Sequence, residues 1–307
     1  MVFFGFVLFS ALPILASLLK GMVIDEDYEN FVKIENLDSV VDDRPQIDIF
    51  ENENNTDGTK GFEYVPEVVK VLGIYEEIGL ECAGTLITPQ HILTSASCLE
   101  RSGKEGGFLP PELLAVSVPA FKIGVLFKVE NVTVHESYNN YTMTNDIALI
   151  KLSFRLDPHN FDFPKIYNAD LERRMRLEIY GYDLSSIDNY QLLPRRRVPI
   201  STSFVRESVC GRYILKKDLS CLFVRNRKSI CINNRGGPVF RILGSRQMAG
   251  IISHWISVDT SKSFNIAPIY NCAKNGDVIV YTLLKSYINW MSKNTGYSKD
   301  YFKHFVS

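Results

Sequence analysis

Three side chains in this chain of 307 residues bear on acyl-transfer chemistry: Ser97, Asp146 and Arg235. That chemistry needs a hydroxyl that attacks, a base in hydrogen-bond contact with it, and a group that orients the base. The hydroxyl of Ser97 cannot accept a proton at neutral pH. The guanidinium of Arg235 stays protonated and carries only donors, so it cannot attack a carbonyl. Only Asp146 therefore has a side chain suited to one of the three roles, the orienting one.

The motifs around the first two positions resemble those of chymotrypsin-like serine proteases. Gly84–Cys98 is similar to a family segment that ends in Ala-Ala-His-Cys, and Ser97 stands at its histidine position. Asn145–Leu152 is similar to the family's Asp-Ile-Ala-Leu motif and retains Asp146. The order and the separations of these positions follow the family's pattern.

Two later segments extend the resemblance to about residues 62–296. Cys231–Pro238 resembles Cys-x-Gly-Asp-Ser-Gly-Gly-Pro, with Arg235 at the position of the attacking serine. Gly250–Ser253 resembles the strand that lines the substrate channel. Loss of the nucleophile or the base alone typically lowers turnover about a million-fold. The resemblance therefore implies a catalytically inactive homologue, similar to non-catalytic members among insect secreted proteins.

Other positions of the family's machinery are also altered. Asn233 stands where the oxyanion hole uses a glycine, and Asn234 replaces the aspartate that pairs with the freed amino terminus of the active enzyme. The upstream segment Lys60–Tyr64 contains no Ile-Val-Gly-Gly start. The resemblance gives Ser229 and Ser253 as pocket positions, and a serine at 229 does not support a pocket that reads lysine or arginine.

The retained carboxylate needs a partner if it is buried. A buried charge without a counter-charge costs several kcal/mol, on the order of magnitude seen for broken buried pairs. Arg235 is long enough to cross the space of the missing imidazole, so we hypothesise an Arg235–Asp146 ion pair. We expect His91, His135 and His254 to be structural, because none lies at the position of the base.

Short runs rich in β-forming residues, separated by turn residues, predict an all-β fold. The predicted strands are Val68–Tyr75, Cys82–Thr88, His91–Ser95, Leu113–Val118, Leu126–His135, Ile147–Leu152, Arg176–Gly181, Pro238–Leu243, Met248–His254 and Val278–Leu283. Leu284, Tyr287, Ile288 and Met291 recur at helical spacing, and Gly296 follows as a stop. The resemblance implies two six-stranded antiparallel β-barrels of the chymotrypsin type with a C-terminal helix.

Six cysteines, an even number, indicate a disulfide-bonded chain made in an oxidising compartment. The residues alone leave every pairing open. The resemblance implies Cys82–Cys98, Cys210–Cys221 and Cys231–Cys272. No Cys-x-x-Cys spacing occurs and the histidines are scattered, so we expect neither a metal site nor a cofactor. Sequons for N-glycosylation lie at Asn54, Asn131 and Asn140.

The chain divides into three parts by composition. Residues 1–19 are almost wholly apolar and Lys20 follows, so residues 1–21 indicate a cleaved signal peptide in preference to a membrane anchor, and we expect a secreted, extracellular protein. Residues 22–60 hold twelve acidic and three basic side chains and are predicted to be a disordered leader, which either solubilises the chain or binds a basic face of the following domain. Residues 61–300 form the protease-like domain.

Three functions remain open at this point. The leading prediction is a non-catalytic protease homologue that binds an extracellular protein, such as an active protease, as cofactor, decoy or regulator. The alternatives are an active serine endopeptidase with an unusual triad, and a binder of heparin-like polyanions through basic runs such as Arg195–Arg197. The overall charge of −1 argues against a nucleic-acid partner.

Overall fold

The computed structural model describes residues 65–75, 78–101, 106–121, 125–171, 175–181, 200–203, 217–223, 234–243, 245–256 and 277–303. The strands and helices follow one another along the chain as two sheets and a helical C-terminus. In chain order they are β1 (Val68–Tyr75), β2 (Ile78–Leu86), β3 (His91–Thr94), β4 (Leu114–Ser117), β5 (Leu126–Val134), β6 (Ala148–Leu152), β7 (Lys165–Ile166), β8 (Arg176–Ile179), β9 (Ile200–Ser203), β10 (Leu219–Phe223), β11 (Pro238–Leu243), β12 (Ser245–Ile256), β13 (Val278–Leu283), α1 (Ile288–Thr295) and α2 (Lys299–Phe302).

The first six strands close into a barrel in the order β1-β2-β3-β6-β5-β4, with every neighbouring pair antiparallel. Branched aliphatic side chains fill its interior because they pack well on a pleated surface. Val71, Ile92, Val116 and Ile150 are fully buried there. Closure removes the exposed sheet edges, so each strand of this half is held on both sides.

The second half is a sheet in which six antiparallel strands follow the order β10-β13-β12-β11-β8-β9. Strand β7 adds a seventh, parallel member against β12, pairing Lys165 with Gln247 and Ile166 with Met248. The predicted all-β fold with a C-terminal helix is confirmed. The parallel strand β7 is an addition that the predicted antiparallel pattern lacks.

A shared core joins the two halves to the C-terminal helices. Side chains from both sheets and from α1 and α2 pack into one cluster. Its members include Val68, Ile87, Leu93 and Leu149 of the first barrel, Phe240, Met248 and Ile251 of the second sheet, and Trp290, Met291 and Phe302 of the helices. The C-terminus therefore stabilises the junction between the sheets, and it is along this junction that the candidate site lies.

The predicted helix stop is confirmed at Gly296, which follows α1 with φ of +77°, a conformation that favours glycine. The predicted bounds of β1, β11 and β13 also agree with the structure. Strands β7, β9 and β10 were not predicted. The disulfide Cys82–Cys98 is confirmed.

Cys221 is also disulfide-bonded, whereas its predicted partner Cys210 and the pair Cys231–Cys272 lie outside the described residues. The predicted signal and leader, residues 1–60, lie outside them as well. Over the ranges that the structure describes, no helix is long and apolar enough to cross a membrane.

Truncation of the shared core should destabilise the whole domain. Met291→Ala removes a fully buried side chain of α1, and we expect it to lower the free energy of unfolding by about 2–5 kcal/mol. Asn289→Ala, on the exposed side of the same helix, is the matched control and should change it by less than about 0.5 kcal/mol. Urea unfolding of both variants checks this. Equal effects of the two would contradict the placement of α1.

Candidate functional site

Ser97 lies at the junction of the two halves, on a short turn that follows β3. A 3₁₀ turn covers Ala96–Cys98, and its last residue is tied by the disulfide to Cys82 on β2. The backbone N–H of Leu99 donates to the carbonyl of Ala96 at 2.9 Å and closes the turn. Ser97 is buried, with 6% of its surface exposed. The hydroxyl at this position is therefore fixed inside the protein.

Asp146 is held by a clamp that involves both sheets. The preceding residue, Asn145, has a φ of +53°, and its side-chain amide donates to the carbonyl of Ser137 at 2.9 Å. Its backbone N–H donates to Asp218 Oδ2 at 3.1 Å, next to strand β10. On the other side, Thr282 Oγ1 of β13 donates to the Asp146 carbonyl at 3.0 Å. Asn tolerates a positive φ better than most residues, which suits it to this turn.

Three donors converge on the carboxylate of Asp146, whose side chain is fully buried. The backbone N–H of Ser97 donates to Oδ1 at 2.7 Å, and the hydroxyl of Ser97 donates to Oδ2 at 2.9 Å. The hydroxyl of Ser253, on β12, also donates to Oδ2. Burial raises the pKa of Asp146, while Ser253, Ser97 and the nearby charge of Arg235 lower it by smaller amounts.

Ser253 thus belongs to this buried network, although the sequence resemblance assigned it to a pocket. It is wholly buried on β12, and its hydroxyl is directed toward the carboxylate. Its oxygen also lies 3.0 Å from Nδ1 of His254. Burial, together with the charge of Arg235, lowers the pKa of His254 to about 4, so this imidazole is neutral at physiological pH.

The turn that carries Arg235 is pressed against the first barrel. Gly236 has a φ of +75°, and a Cβ there would lie 2.0 Å from Thr94 Oγ1 and 2.4 Å from the Ala83 carbonyl. Its N–H donates to the carbonyl of Ile252 at 2.8 Å, and the carbonyl of Arg235 accepts from Ala83 N at 2.9 Å. No other residue type fits at 236, and the turn is consequently fixed between the two halves.

The hypothesised Arg235–Asp146 ion pair is wrong. No salt bridge joins the two side chains in the described structure, and the hydrogen bonds that the carboxylate accepts come from Ser97 and Ser253. The Nε of Arg235 is buried and has no hydrogen-bond partner. The charge of Arg235 is close enough to lower the pKa of Asp146, but the smaller hydroxyls are the closer donors.

Asn234 occupies the altered activation position. It is 6% exposed, and its carbonyl accepts from the N–H of Gly237 at 3.0 Å. Its side chain lies directly over Gly181, where a Cβ would come within 2.4 Å of Nδ2. The neutral amide is therefore packed into the body of the second sheet, where an aspartate would be a buried charge.

Sequence reasoning missed a group of polar residues beside this network. The Tyr138 hydroxyl and the Asn140 amide face the Glu100 carboxyl and lower its pKa, whereas burial, the larger effect, raises it. Burial also raises the pKa of Tyr138 beyond the usual range, and Arg235 acts on both groups. Glu100 lies two residues after Cys98, so its place next to the predicted site was a usable signal.

The other predicted positions are distributed as follows. His91 contacts Thr88 Oγ1 through Nδ1 at 2.9 Å, and His135 packs between Tyr287 and Trp290, at a centroid distance of 5.3 Å from each. The sequons Asn131 and Asn140 are exposed, whereas Asn54, Ser229 and Asn233 lie outside the described residues. Within the described ranges, no cluster of His, Cys, Asp and Glu could hold a metal ion.

Comparison with known proteins fits this arrangement. The family model described as Trypsin matches residues 66–291. The chain is a member of the trypsin family. Trypsin-4 of Rattus norvegicus is 26% identical over 230 residues, which cover 72% of this chain and 83% of that protein. A venom serine protease of Polistes dominula is 26% identical over 181 residues, which cover 54% and 62%.

Solved structures share the fold of this trypsin-family chain. A structure described as HL collagenase has a TM-score of 0.58 at 19% identity and covers 76% of this chain and 96% of its own. A kallikrein-related peptidase 10 complex with Zn²⁺ has a TM-score of 0.54 at 17% identity and covers 75% and 95%. Both comparisons support a chymotrypsin-like architecture for the described strands.

Replacement of Asp146 by asparagine should change how stability depends on pH. Because burial raises the folded pKa above the unfolded value, the carboxyl contributes most stability below its unfolded pKa and loses it as pH rises through the folded pKa. We therefore expect the stability of Asp146→Asn relative to the parent to increase as pH rises from the unfolded pKa of the carboxyl to its folded pKa, by about 1.4 kcal/mol for each pH unit between them.

The matched control has the opposite sign. Lys285 holds the pKa of Asp170 below its usual range, so that carboxyl contributes stability above its unfolded pKa. Asp170→Asn should therefore be destabilising at neutral pH, and its cost should disappear in acid. Urea unfolding across the pH range measures both variants. If the difference in free energy of unfolding between Asp146→Asn and the parent does not change with pH, the pKa of this carboxyl is not raised by folding.

Proposed function

We propose that this trypsin-family protein is non-catalytic and acts by binding another protein outside the cell. The observation that carries the proposal is the pairing of Ser97 with Asp146 at 2.9 Å, in the place where a base would be oriented. A hydroxyl that donates to a carboxylate supplies no proton acceptor for a nucleophile. Arg235, on the turn that would present the nucleophile, carries only donors.

Another histidine does not restore the chemistry. When Asp146 is ionised, the Ser253 hydroxyl donates to it, and the oxygen of Ser253 then accepts from Nδ1 of His254. His254 thus acts as a donor toward the one hydroxyl it contacts among the described residues. Ser253 itself is wholly buried. An endopeptidase built on Asp146, Ser253 and His254 would need both a reversal of these bonds and access to a buried oxygen.

Protein binding fits the features that the chain retains. The two halves still pack on one shared core, while the side chains at the base and nucleophile positions of the resembled family are replaced. The partner that we propose is an extracellular protein, with an active protease as the leading class. Heparin-like polyanions are the second candidate, but the basic runs that suggested them lie outside the described residues.

The location that we propose is extracellular. The disulfide Cys82–Cys98 favours an oxidising compartment, and the apolar residues 1–21 have the character of a signal peptide. Expression in a secretory eukaryotic cell should release the protein into the medium with an amino terminus near residue 22, as read by mass spectrometry of the intact chain. Retention of residues 1–21 on a cell-associated product would contradict this.

The absence of catalysis is tested by active-site labelling. The purified secreted chain, before and after trypsin cleavage at Lys60, should give no covalent adduct with a fluorophosphonate and no hydrolysis of a casein substrate. An active trypsin serves as the positive control in the same assay. Labelling that is lost in Ser97→Ala or Ser253→Ala would instead establish an unusual triad and remove the proposal.

A further inference from the structure

We propose that Arg235 is a binding residue that receives a carboxylate of an acidic peptide. The inference rests on the proposed function, because it names the kind of chemical group that the candidate site would bind. Its basis is a guanidinium whose hydrogen-bonding capacity is unused at the junction of the two halves. A guanidinium carries five N–H donors in a planar fork.

The donors of Arg235 have no acceptor in the described structure. The residue is partly exposed, its Nε is buried without a hydrogen-bond partner, and no salt bridge to its guanidinium is formed by any described residue. A buried donor left unpaired costs about 1–3 kcal/mol, so native proteins rarely retain one without a reason. The backbone of Arg235 is nevertheless rigid, because its carbonyl bonds to Ala83 and Gly236 fixes the turn.

The acidic groups nearby do not use these donors. The carboxylate of Asp146 is taken by Ser97 and Ser253, and the carboxyl of Glu100 faces Tyr138 and Asn140. Burial raises the pKa of both carboxyls. The charge of Arg235 lowers each pKa by a smaller amount, so the net shift is upward. The carboxyls of Asp146 and Glu100 therefore reduce the positive electrostatic potential at Arg235, but they form no hydrogen bond with its N–H groups.

The remaining titratable neighbours add no charge at neutral pH. His254 has a pKa of about 4 and is neutral, and the raised pKa of Tyr138 keeps its hydroxyl protonated. Arg235 is consequently the one cation of this cluster among the described residues. A carboxylate fits the planar guanidinium, because one carboxylate group can accept two parallel N–H···O hydrogen bonds from it.

Two sources could supply that carboxylate. One is the chain's own segment 22–60, which carries twelve acidic and three basic side chains and is covalently tethered to the domain. The tether gives it an effective concentration that a separate partner lacks. The other source is an acidic stretch of the partner protein. The chemistry is the same for both, so the experiment must separate them.

The probe is a fluorescently labelled synthetic peptide of residues 22–60, with a matched peptide in which every Asp and Glu is replaced by Asn and Gln. Two forms of the full chain are titrated: the parent, and a form whose own segment 22–60 carries the same amide replacements. Fluorescence anisotropy gives Kd. We expect the acidic peptide to bind the amide-substituted chain at least tenfold more tightly than the amide peptide does.

Substitutions in that amide-substituted chain identify the residue responsible. Arg235→Gln should weaken binding of the acidic peptide at least tenfold, and Arg235→Lys should give an intermediate Kd because it keeps the charge but loses the fork. Arg155→Gln, which removes an exposed arginine, is the matched control and should leave Kd unchanged within twofold. Unfolding midpoints confirm that each variant folds, and Arg235→Lys decides the matter if Arg235→Gln does not.

The outcomes distinguish segment 22–60 from an external partner as the source of the carboxylate. They also distinguish failure of this inference from failure of the proposed function. Weaker binding of the acidic peptide to the parent chain than to the amide-substituted chain identifies segment 22–60 as the native ligand, and equal binding identifies an external partner. Equal affinity for the two peptides, or a Kd that no Arg235 variant alters, overturns the inference. Cleavage of the labelled peptide would count against the proposed function instead, because it reports hydrolysis independently of Kd.

Discussion

A buried carboxylate sets the organisation of this molecule. Asp146 is fully buried at the junction of the first barrel and the second sheet, and its carboxyl accepts hydrogen bonds from both. Ser97 brings a hydroxyl and an amide from the first barrel, and Ser253 brings a hydroxyl from the second sheet. Removal of any of these donors leaves part of a buried negative charge unsolvated, which is among the more costly defects in a protein.

Several hydrogen bonds around Asn145 hold the loop that carries the Asp146 carboxyl. The hydroxyl of Tyr287 lies 3.0 Å from both Asn145 Oδ1 and Asp218 Oδ2, and so links the Asp146 loop to the terminal helical segment. Trp290 Nε1 donates to Glu136 at 3.2 Å on the same side. The loop that positions the carboxylate is thus held by contacts that have no part in chemistry. The Asp146 loop is therefore part of the packing between the two halves and the C-terminal segment.

Sequence reasoning was reliable where a local pattern and a tertiary requirement coincide. Val68–Tyr75 combines β-branched residues with burial, and the segment has the same bounds in the structure. Strand β9, by contrast, is Ile200-Ser-Thr-Ser203, whose residues alone do not distinguish a strand from a loop. It forms because β8 offers a partner, and pairing of that kind is not visible in a single sequence.

The Arg235–Asp146 pair failed for a related reason. Chain length and charge showed that the two groups could meet, but not that two serine hydroxyls would occupy the carboxylate first. The sequence likewise places Ser253 on a strand, but the hydrogen bond from its hydroxyl to Asp146 depends on a neighbour 107 residues away along the chain. Competition among donors is a property of three-dimensional neighbours, and it decided both details of the site.

The rigidity of the turn at Gly236 has an evolutionary consequence. Because the path of the backbone there is fixed by steric contact with Thr94 and Ala83, it does not depend on which side chain residue 235 carries. Mutation at that one codon can therefore exchange the side chain presented at the junction of the two halves while the path of the turn stays the same.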